Sequence, residues 1–583
     1  MQSITKKLTE IVSDAFEKCG YERSLGVVTA SDRLDLCQFQ CNGAFAGAKL
    51  YKKAPFMLAD DVAAVLKAED IFSKVEVVKP GFLNLSLCDD YMLALTREIA
   101  EDKFCGIPQA EKPEKIVIDY GGPNVAKPLH IGHLRSAIIG ESLKRLARAC
   151  GNTVYSDVHL GDWGLQIGLV IAELNERNPG WKCFSEDFDP DKDSVPELNA
   201  DLLSEVYPFA SKKSKEDEAF KEKAHIATFD LQNGRAGYIA LWKEILRVSI
   251  ADLKGNYEKL GVDFDYWYGE SDADKYIPEL MKILEDKKLS YESNGALVVD
   301  VELESDKAPI PPVIVRKSDN SSIYATTDLA TIIQREKDFA PDKIWYVVDK
   351  RQELHFTQVF RCARRAELVP ESTELEFLGF GTMNGSDGKP YKTRDGGVMR
   401  LSDLIETVTK TSLERLENSS FVSEDDRESY AAKLGMAAIK FGDLINHRSK
   451  DYIFDLDKFL SAEGKTGIYL LYTVSRINSI MKKNAGVKPE FTGVYTDAER
   501  ELMLKIIMSG NIWGYAMDEK APNYVCENAY QLAVSFSRFY HENHIMDEQD
   551  EKKKSSWLAL AELTRTLIVK HLDILGIETV ENM

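Results

Sequence analysis

Two histidines, His130 and His133, lie three residues apart where a loop leads into a helical pattern. Residues with this spacing share one face of a helix. The first turn of a helix offers unpaired N–H groups and the positive end of the helix dipole, and both favour a bound phosphate. Two imidazoles placed there can donate hydrogen bonds to phosphate oxygens that gain charge during transfer at phosphorus. Gly132, between them, leaves room for a base or ribose against the backbone.

These residues predict a nucleotide site, and the competing interpretation is that the histidines simply cap an ordinary helix. The neighbouring elements favour the nucleotide. Lys115–Tyr120 is a short apolar run typical of a buried parallel strand, and a Gly-Gly-Pro turn follows it. An apolar-periodic helix is predicted from about His130 to Cys150, with Gly151 as its stop, and Thr153–Val158 resembles a second strand. Strand, loop, long helix and strand form the βαβ unit of a nucleotide-binding sheet.

The remaining sequence predicts further domains around this core. A helical pattern from Ile4 and an alternating run at 75–87 indicate an α+β segment. Charge-rich helical sequence at about 170–290 indicates an insertion, and strand-like runs return at 296–301 and 343–348. From about residue 430 the pattern is helical. The predicted fold is a doubly wound α/β (Rossmann-type) core flanked by an N-terminal α+β domain and a C-terminal all-α bundle, with boundaries at 1–100 (N-terminal domain), 113–400 (core), 401–455 (linking helices) and 456–583 (bundle).

The composition limits the class of protein. The net charge of −21 argues mildly against a nucleic-acid partner, but phosphate backbones are met by local basic surfaces, so the question stays open. The nine cysteines are scattered, with Cys37 and Cys41 as the nearest pair, which predicts no structural zinc. Such cysteines without a secretory signal fit a reducing cytoplasm, where we expect the protein to reside. No apolar stretch of about 18 residues occurs, so we expect no membrane partner.

Taken together, the motifs resemble those of arginyl-tRNA synthetases, a family of class I aminoacyl-tRNA synthetases. Residues 123–136, PNVAKPLHIGHLRS, are similar to the HIGH signature in its arginyl form. The resemblance covers nearly the whole chain. Further similar segments are 159–166 (GDWG segment), 324–328 (YxxxD segment), 351–355 (QxDLH segment), 463–469 with Arg476 (start of an anticodon-binding helical domain), and 42–46 with 80–84 (N-terminal domain that contacts the outer corner of tRNA).

The resemblance implies an enzyme that activates L-arginine with ATP and Mg²⁺ and transfers it to the 2′-hydroxyl of tRNA(Arg). It also implies that tRNA is bound before the first step, and we expect a monomer. The residues it implies are Lys127, His130 and His133 for catalysis; His130, Gly132, His133, Lys392 and Arg394 for ATP; Asp119, Asn124, His130, Tyr324, Asp328 and Gln352 for arginine; and Tyr472, Arg476 and Met583 for tRNA.

Side-chain chemistry supports the implied arginine site. A guanidinium group is a planar fork of donors, which a carboxylate binds best, with help from a tyrosine hydroxyl. Tyr324 and Asp328 face the same way if their segment is a helix turn. Asp119 and Asn124 flank the end of the first strand, where they could meet the α-ammonium and carboxylate of the amino acid.

The second class I signature, a KMSKS loop, is degenerate at 388–397. Thr393 stands where the second lysine is expected, and a threonine hydroxyl carries no charge. Lys127, three residues before His130, is the predicted substitute. The alternative is that Lys127 is solvated and that Lys389, Lys392 or Arg394 supplies the charge.

Two rival functions remain at this stage. A small-molecule nucleotidyltransferase of the same HxGH superfamily would share the histidines and need no tRNA, but the extra domains argue against it. A catalytically inactive tRNA-binding paralogue is disfavoured by the intact His130, His133, Tyr324 and Asp328.

Overall fold

A computed structural model describes residues 2–317, 323–389, 391, 399–416 and 422–583. The N-terminal part is an antiparallel sheet, in the order β1-β2-β4-β3, covered by helices. Leu8, Val12 and Phe16 recur at helical spacing on the first helix and are buried against that sheet. Its elements are α1 (Ile4–Lys18), β1 (Val28–Ala30), β2 (Phe39–Cys41), α2 (Gly43–Tyr51), α3 (Pro55–Leu66), β3 (Phe72–Val78), β4 (Phe82–Leu87) and α4 (Asp89–Glu101).

The central part is an α/β unit with a helical insertion and a small antiparallel sheet. Its elements are β5 (Lys115–Asp119), α5 (Ile131–Ala149), β6 (Thr153–Asp157), α6 (Leu165–Arg177), α7 (Ala200–Glu216), α8 (Glu218–Gln232), α9 (Ala236–Lys259), α10 (Glu270–Asp274), α11 (Ile277–Asp286), β7 (Ser290–Ser293), β8 (Ala296–Val299), β9 (Val313–Arg316), α12 (Tyr324–Phe339), β10 (Lys343–Tyr346), α13 (Glu353–Ala366), β11 (Glu374–Phe377) and β12 (Met383–Asn384).

The C-terminal part is mainly helical. Its elements are α14 (Leu401–Leu416), α15 (Arg427–Leu444), β13 (Tyr452–Ile453), α16 (Leu456–Phe459), α17 (Gly467–Lys483), α18 (Asp497–Asp518), α19 (Asn523–Glu542) and α20 (Glu551–Ile574). The sequence predicted no strand beyond residue 430, and this was wrong for β13. That two-residue strand pairs with β12 through Met383 and Tyr452, a contact too short to leave an alternating pattern.

The central sheet is parallel, with the order β11-β10-β5-β6. From β5 the chain crosses to β6 on one side, and it later returns to β10 on the other side. The carboxyl ends of β5 and β10 are therefore a topological switch point, where ligands bind in open α/β sheets. The predicted elements of the βαβ unit are confirmed with ends shifted by one residue, because His130 and Cys150 are the caps of α5.

The segment predicted as an insertion returns to this sheet before residue 290. Tyr266 pairs with Asp157 at the end of β6, and Gly269 pairs with Leu160. These bridges place α10 beside the chain that follows β6.

The C-terminal helices pack against both other parts. Helix α18 contacts α1 and α4, and the Arg500 guanidinium holds both carboxylate oxygens of Asp89 at 2.7 and 2.8 Å. Helix α20 packs on α5, the helix that begins at the two histidines. Among the described residues, no helix is long and apolar enough to cross a membrane.

Candidate active site

A cavity of about 410 Å³ lies at the switch point. Its walls are the residues after β5 and β10, the first turns of α5, residues 380–383 and Tyr391. Five of the predicted site residues line it directly. The predicted residues lining it are Asp119, His130, Gly132, His133 and Gln352.

The two histidines cap α5 and still present one ring nitrogen each. Nδ1 of His130 accepts a hydrogen bond from the Gly132 N–H at 3.1 Å, and Nδ1 of His133 accepts one from the His130 N–H at 3.0 Å. An imidazole nitrogen that accepts is unprotonated, so the proton of each neutral ring is on Nε2. The capping interpretation and the nucleotide interpretation are therefore compatible, because each uses a different nitrogen.

Burial fixes the charge of the pair. Burial, with the nearby charge of Lys127, lowers the pKa of His130 to about 4. Burial, with the charges of His130 and Lys127, lowers the pKa of His133 to about 3. Both rings are consequently neutral at pH 7 and act as hydrogen-bond donors through Nε2–H. The centroids of the two rings are only 3.9 Å apart, so the two donors lie side by side at the helix N-terminus, an arrangement that suits an anion.

Gly132 is required by the protein itself. A Cβ at this position would lie 2.8 Å from Cε1 of His130, closer than real Cβ contacts allow. The glycine thus lets the His130 ring fold back onto its own N–H, in addition to the room for a ligand that the sequence predicted.

The two signature loops meet at the backbone. The Ile131 N–H donates to the Met399 carbonyl at 3.0 Å, and the Leu401 N–H donates to the Leu129 carbonyl at 2.9 Å. The chain that leaves the second loop therefore runs beside the first. Lys392 and Arg394, predicted to bind ATP, lie outside the described residues.

Lys127 lies beside the histidines but not in the wall of the main cavity. It lines a smaller cleft with residues of α7 and α9, among them Asp252. Burial lowers the pKa of Lys127, and its charge in turn lowers the pKa values of both histidines. The charge of Lys127 therefore acts on the two histidines from a residue outside the wall of the main cavity.

Tyr324 and Asp328 lie one turn apart at the start of α12, as predicted. Asp328 is already paired, because Nε2 of His355 lies 2.6 Å from its Oδ2. Tyr324 is 62% exposed, and neither Tyr324 nor Asp328 is among the residues that line the cavity. The sequence had not singled out His355 as a partner, although it closes the 351–355 motif.

Glu270, at the start of α10, is a further acidic residue that the sequence analysis missed. Its carboxyl group is buried, and its pKa is raised to about 7 by burial and by the neighbouring charges of Asp162 and Asp328, against an opposing effect of His159. Burial and the nearby charges of Glu270 and Asp328 raise the pKa of Tyr324, so these three side chains lie close to one another. Buried carboxylates and a tyrosine hydroxyl around one space suit a guanidinium ligand.

The 159–166 motif holds this acidic residue in place. Asp162 accepts hydrogen bonds from the Ser271 N–H at 3.0 Å and from the Ser271 hydroxyl at 2.6 Å. Trp163 Nε1 donates to Asp274 at 3.2 Å. Both partners lie on α10, so the motif fastens the helix that carries Glu270.

Asp119 and Asn124 lie at the two ends of the turn after β5. The Asp119 carboxylate is held by Arg335 at 2.7 Å. Asn124 forms a parallel bridge with Gly161, and a side chain at Gly161 would collide with Oδ1 of Asn124. The turn is therefore pinned to the 159–166 motif.

Arg135, one turn into α5, is a residue of the cavity wall that the sequence analysis missed. Its guanidinium is buried, pairs with Asp443 at 3.0 Å and donates to the carbonyls of Gly381 at 2.6 Å and Lys450 at 3.1 Å. It joins the phosphate-facing helix to the opposite wall of the cavity.

The predicted tRNA-contacting residues lie in the C-terminal part, Tyr472 and Arg476 on α17 and Met583 in the tail after α20. On α17, Arg476 donates to the Tyr472 hydroxyl at 2.8 Å and stacks over its ring at 4.7 Å. A cleft of about 530 Å³ adjoins Arg476 and continues to Tyr540. Met583 ends a tail that is tied to α17 by a hydrogen bond of 3.2 Å between Asn478 Nδ2 and the Glu581 carbonyl.

Comparisons with known proteins identify the family. The family model described as "tRNA synthetases class I (R), catalytic domain" matches residues 95–456. The models described as "Arginyl tRNA synthetase N terminal domain" and "DALR anticodon binding domain" match residues 2–87 and 470–583. The arginine–tRNA ligase of Alkaliphilus oremlandii is 48% identical over 587 residues, and that of Agathobacter rectalis is 46% identical over 597 residues; each match covers 100% of both chains. The chain belongs to the arginyl-tRNA synthetase family.

Solved structures of arginyl-tRNA synthetases share the fold. The Plasmodium falciparum enzyme superposes with a TM-score of 0.81 at 24% identity, and the Thermus thermophilus enzyme with 0.80 at 20% identity, each over 100% of both chains. The predicted fold class and the family resemblance are thereby confirmed. Class I membership implies the use of ATP, and the cavity above contains the HIGH histidines of this synthetase family.

Proposed function

We propose that this chain is an arginine–tRNA ligase that activates L-arginine with ATP and transfers it to tRNA(Arg). The observation that carries this proposal is a cavity lined by two neutral imidazole donors at a helix N-terminus and by the Asp119 carboxylate, in a chain of the arginyl-tRNA synthetase family. The Glu270 and Asp328 carboxylates lie close to each other at the starts of α10 and α12. The first end suits phosphate and the second suits guanidinium.

In the first step, the arginine carboxylate attacks the α-phosphorus of ATP, and pyrophosphate leaves. The Nε2–H groups of His130 and His133 donate to oxygens whose negative charge grows in the transition state. Gly132 lets the nucleotide lie against the backbone, and Lys127, with Lys392 and Arg394 of the second loop, supplies positive charge to the phosphates. Mg²⁺ would be held mainly by the phosphates of ATP and would supply further positive charge there.

The amino acid lies between the two ends of the cavity. Asp328, Glu270 and Tyr324 bind the guanidinium group, while Asp119 binds the α-ammonium. Asn124 and Gln352 complete the polar contacts, and His130 lies against the carboxylate that reacts. Because buried acceptors would be left unpaired by a shorter or less branched cation, this site rejects lysine.

In the second step, the 2′-hydroxyl of the tRNA attacks the adenylate. Tyr472, Arg476 and Met583 contact the anticodon side of the tRNA, since exposed aromatic and arginine side chains suit unpaired bases. We propose the domain division 1–100, 113–400, 401–455 and 456–583, which the matched ranges 2–87, 95–456 and 470–583 support. A monomer is the proposed assembly, and light scattering of the purified protein tests it.

The test is pyrophosphate exchange with each of the twenty amino acids, with and without tRNA. We expect exchange with arginine alone among the amino acids, and only when tRNA is present. Exchange with another amino acid would reject the substrate. Nucleotidyl transfer to a small molecule without any amino acid would favour the nucleotidyltransferase alternative, and no turnover of any kind would favour the inactive paralogue.

A further inference from the structure

A buried cluster of charges lies directly beneath Asp119, and its centre is Arg335 of α12. Nη2 of Arg335 is 2.7 Å from Oδ2 of Asp119 and 2.9 Å from Oδ2 of Asp157. The two aspartates end the neighbouring strands β5 and β6 and are register partners in the sheet. The Arg335 side chain is 1% exposed, so this cation is inaccessible to a ligand.

The two carboxylates differ in how many of their oxygens already accept a hydrogen bond. Oδ1 of Asp157 accepts the backbone N–H groups of His159 and Tyr268, both at 3.2 Å. Asp157 is thus occupied with holding the chain after β6 and before α10. Oδ1 of Asp119 accepts no hydrogen bond from the described part of the chain, and Asp119 lines the cavity.

Arg335 itself is not saturated by these contacts. Its Nε and Nη1 atoms are buried and have no hydrogen-bond partner among the described residues. Its guanidinium carbon lies 5.2 Å from the centre of the Tyr346 ring, which fixes the plane of the group. The cluster therefore contains two buried guanidinium nitrogens of Arg335 without an acceptor among the described residues. It also contains one oxygen, Oδ1 of Asp119, without a donor among them, on a residue that lines the cavity.

Helix α12 reaches both ends of the amino-acid site. Asp328 and Arg335 are seven residues apart, which is two turns or about 10 Å along one helix face. The same helix thus places a carboxylate at the guanidinium end and, through Arg335, a second carboxylate at the α-amino end. The two contacts are held at a fixed separation by one rigid element.

We propose that Arg335 is a positioning residue that holds Oδ2 of Asp119 and so directs the other oxygen of this carboxylate at the α-ammonium of the amino acid. This inference rests on the proposed function and adds the residue that makes the α-amino group a recognition element. Burial raises the pKa of Asp119, and the charge of Arg335 opposes that effect. His159 is a second cationic group of the cluster, because its Nδ1 lies 3.5 Å from Oδ2 of Asp157 and the two aspartates raise its pKa to about 9. Without Arg335, Asp157 would keep this partner, whereas Asp119 would lose the only cation that is hydrogen-bonded to it among the described residues.

The test compares two ligands that differ only at the α-position. L-Arginine carries an α-ammonium group, whereas its α-hydroxy analogue keeps the guanidinium and the carboxylate. For the tRNA-bound wild type, the inhibition constant of the analogue should exceed the Kd of arginine by roughly tenfold to a hundredfold, as for one lost charged hydrogen bond. In Arg335→Gln this ratio should collapse to within about threefold, while Arg335→Lys should restore part of it, since the cation remains.

Two controls separate this role from a loss of structure. Arg361, which holds Asp306 with two hydrogen bonds of 2.6 and 2.7 Å elsewhere in the same domain, provides the matched variant Arg361→Gln. That variant should keep the wild-type ratio. The KM for ATP and the melting temperature are measured for all variants, so that a ratio is read only from protein that folds and binds nucleotide.

The outcomes are distinct. If Arg335→Gln weakens arginine and the α-hydroxy analogue by the same factor, the positioning role is rejected, while arginine activation by the wild type still stands. If Arg335→Gln does not fold, Arg335→Lys decides between the outcomes. A wild-type ratio of analogue to arginine affinity in Arg335→Lys, together with a raised KM for ATP in that variant, would reject the proposal. If the wild type binds neither compound, the proposed function fails, and that result is separate from the ratio.

Discussion

The two ends of the cavity hold their polar groups in opposite ways. At the start of α5, burial removes the charge of His130 and His133, and their backbone contacts leave one neutral donor on each ring. Near α12, Asp119 and Glu270 are buried as well, whereas the Asp328 side chain is 20% exposed. Asp119 has a buried cation beside it, and Asp328 is paired with His355. Burial thus keeps the two imidazoles neutral, so that they can donate hydrogen bonds to an anion at one end. At the other end, the carboxylates have partners and can accept hydrogen bonds from a cation.

This difference teaches that a site for a charged ligand need not carry a full opposite charge. Neutral, pre-aimed donors stabilise charge that develops only in the transition state, without binding the ground state too tightly. Permanent cationic groups of an amino acid, in contrast, are recognised by carboxylates that are ionised before the ligand arrives.

The largest effect is expected at the histidine end. Asparagine at either position keeps a side-chain oxygen that can accept the capping N–H, and it removes the Nε2–H donor. We expect His130→Asn and His133→Asn each to lower kcat for adenylate formation about a hundredfold to a thousandfold, as for one lost transition-state donor. Single-turnover kinetics with saturating ATP and arginine measure this. Near-normal kcat in both variants would mean that the histidines serve only as caps.

Variants of Lys127 test whether its ammonium supplies positive charge to the ATP phosphates, although Lys127 lies outside the wall of the main cavity. Lys127→Ala should lower kcat on the order of a hundredfold, with partial recovery in Lys127→Arg. Lys389→Ala, Lys392→Ala and Arg394→Ala should mainly raise the KM for ATP. A large loss of kcat in one of these three, with Lys127→Ala close to wild type, would assign the charge to the second loop instead.

At the α12 end, Asp328→Asn should lower the kcat/KM for arginine and leave the KM for ATP unchanged. The loss of one charged acceptor corresponds to about 1.5–3 kcal/mol, or roughly tenfold to 150-fold in kcat/KM for arginine. The asparagine oxygen can still accept from His355, so the local pairing persists. Steady-state exchange with varied arginine, then varied ATP, gives both constants; an unchanged kcat/KM for arginine would move the guanidinium site elsewhere.

The smallest expected effect is a pH dependence set by Glu270. Its pKa of about 7 means that the ionised, guanidinium-binding form is lost as the pH falls below 7. The kcat/KM for arginine, which reports the free enzyme, should therefore fall by up to about tenfold per pH unit below 7. The kcat/KM for arginine of Glu270→Gln should be lower than that of the wild type and should not change between pH 6 and 8. A wild-type profile that is already flat there would contradict the assignment.

The sequence predicted the parts of the site that are local in the chain. The histidine spacing, the strand before it and the helix after it all lie within 35 consecutive residues, and the Tyr324–Asp328 pair needs only one helix turn. Their geometry follows from short-range rules, so resemblance and periodicity were sufficient.

The missed residues depend on contacts that are distant in the sequence. Glu270 belongs to a segment that looks like the end of a charged insertion and returns to the sheet only through bridges at Tyr266 and Gly269. Arg335, within QREKDF, has the pattern of a solvated helix face, yet it is buried under two strand ends 178 and 216 residues away. Such partners are fixed by tertiary packing and leave no periodic signal.

The central claim is that the phosphate end works through neutral histidines whose Nε2–H groups face the ligand. Nitrogen-15 NMR of the histidine side chains measures tautomer and charge directly, with His130→Asn and His133→Asn to assign the two signals. We expect both rings to be neutral Nε2–H tautomers with an accepting Nδ1, and to show no titration between pH 5 and 8. A ring that titrates near pH 6.5, or that carries its proton on Nδ1, would contradict the account.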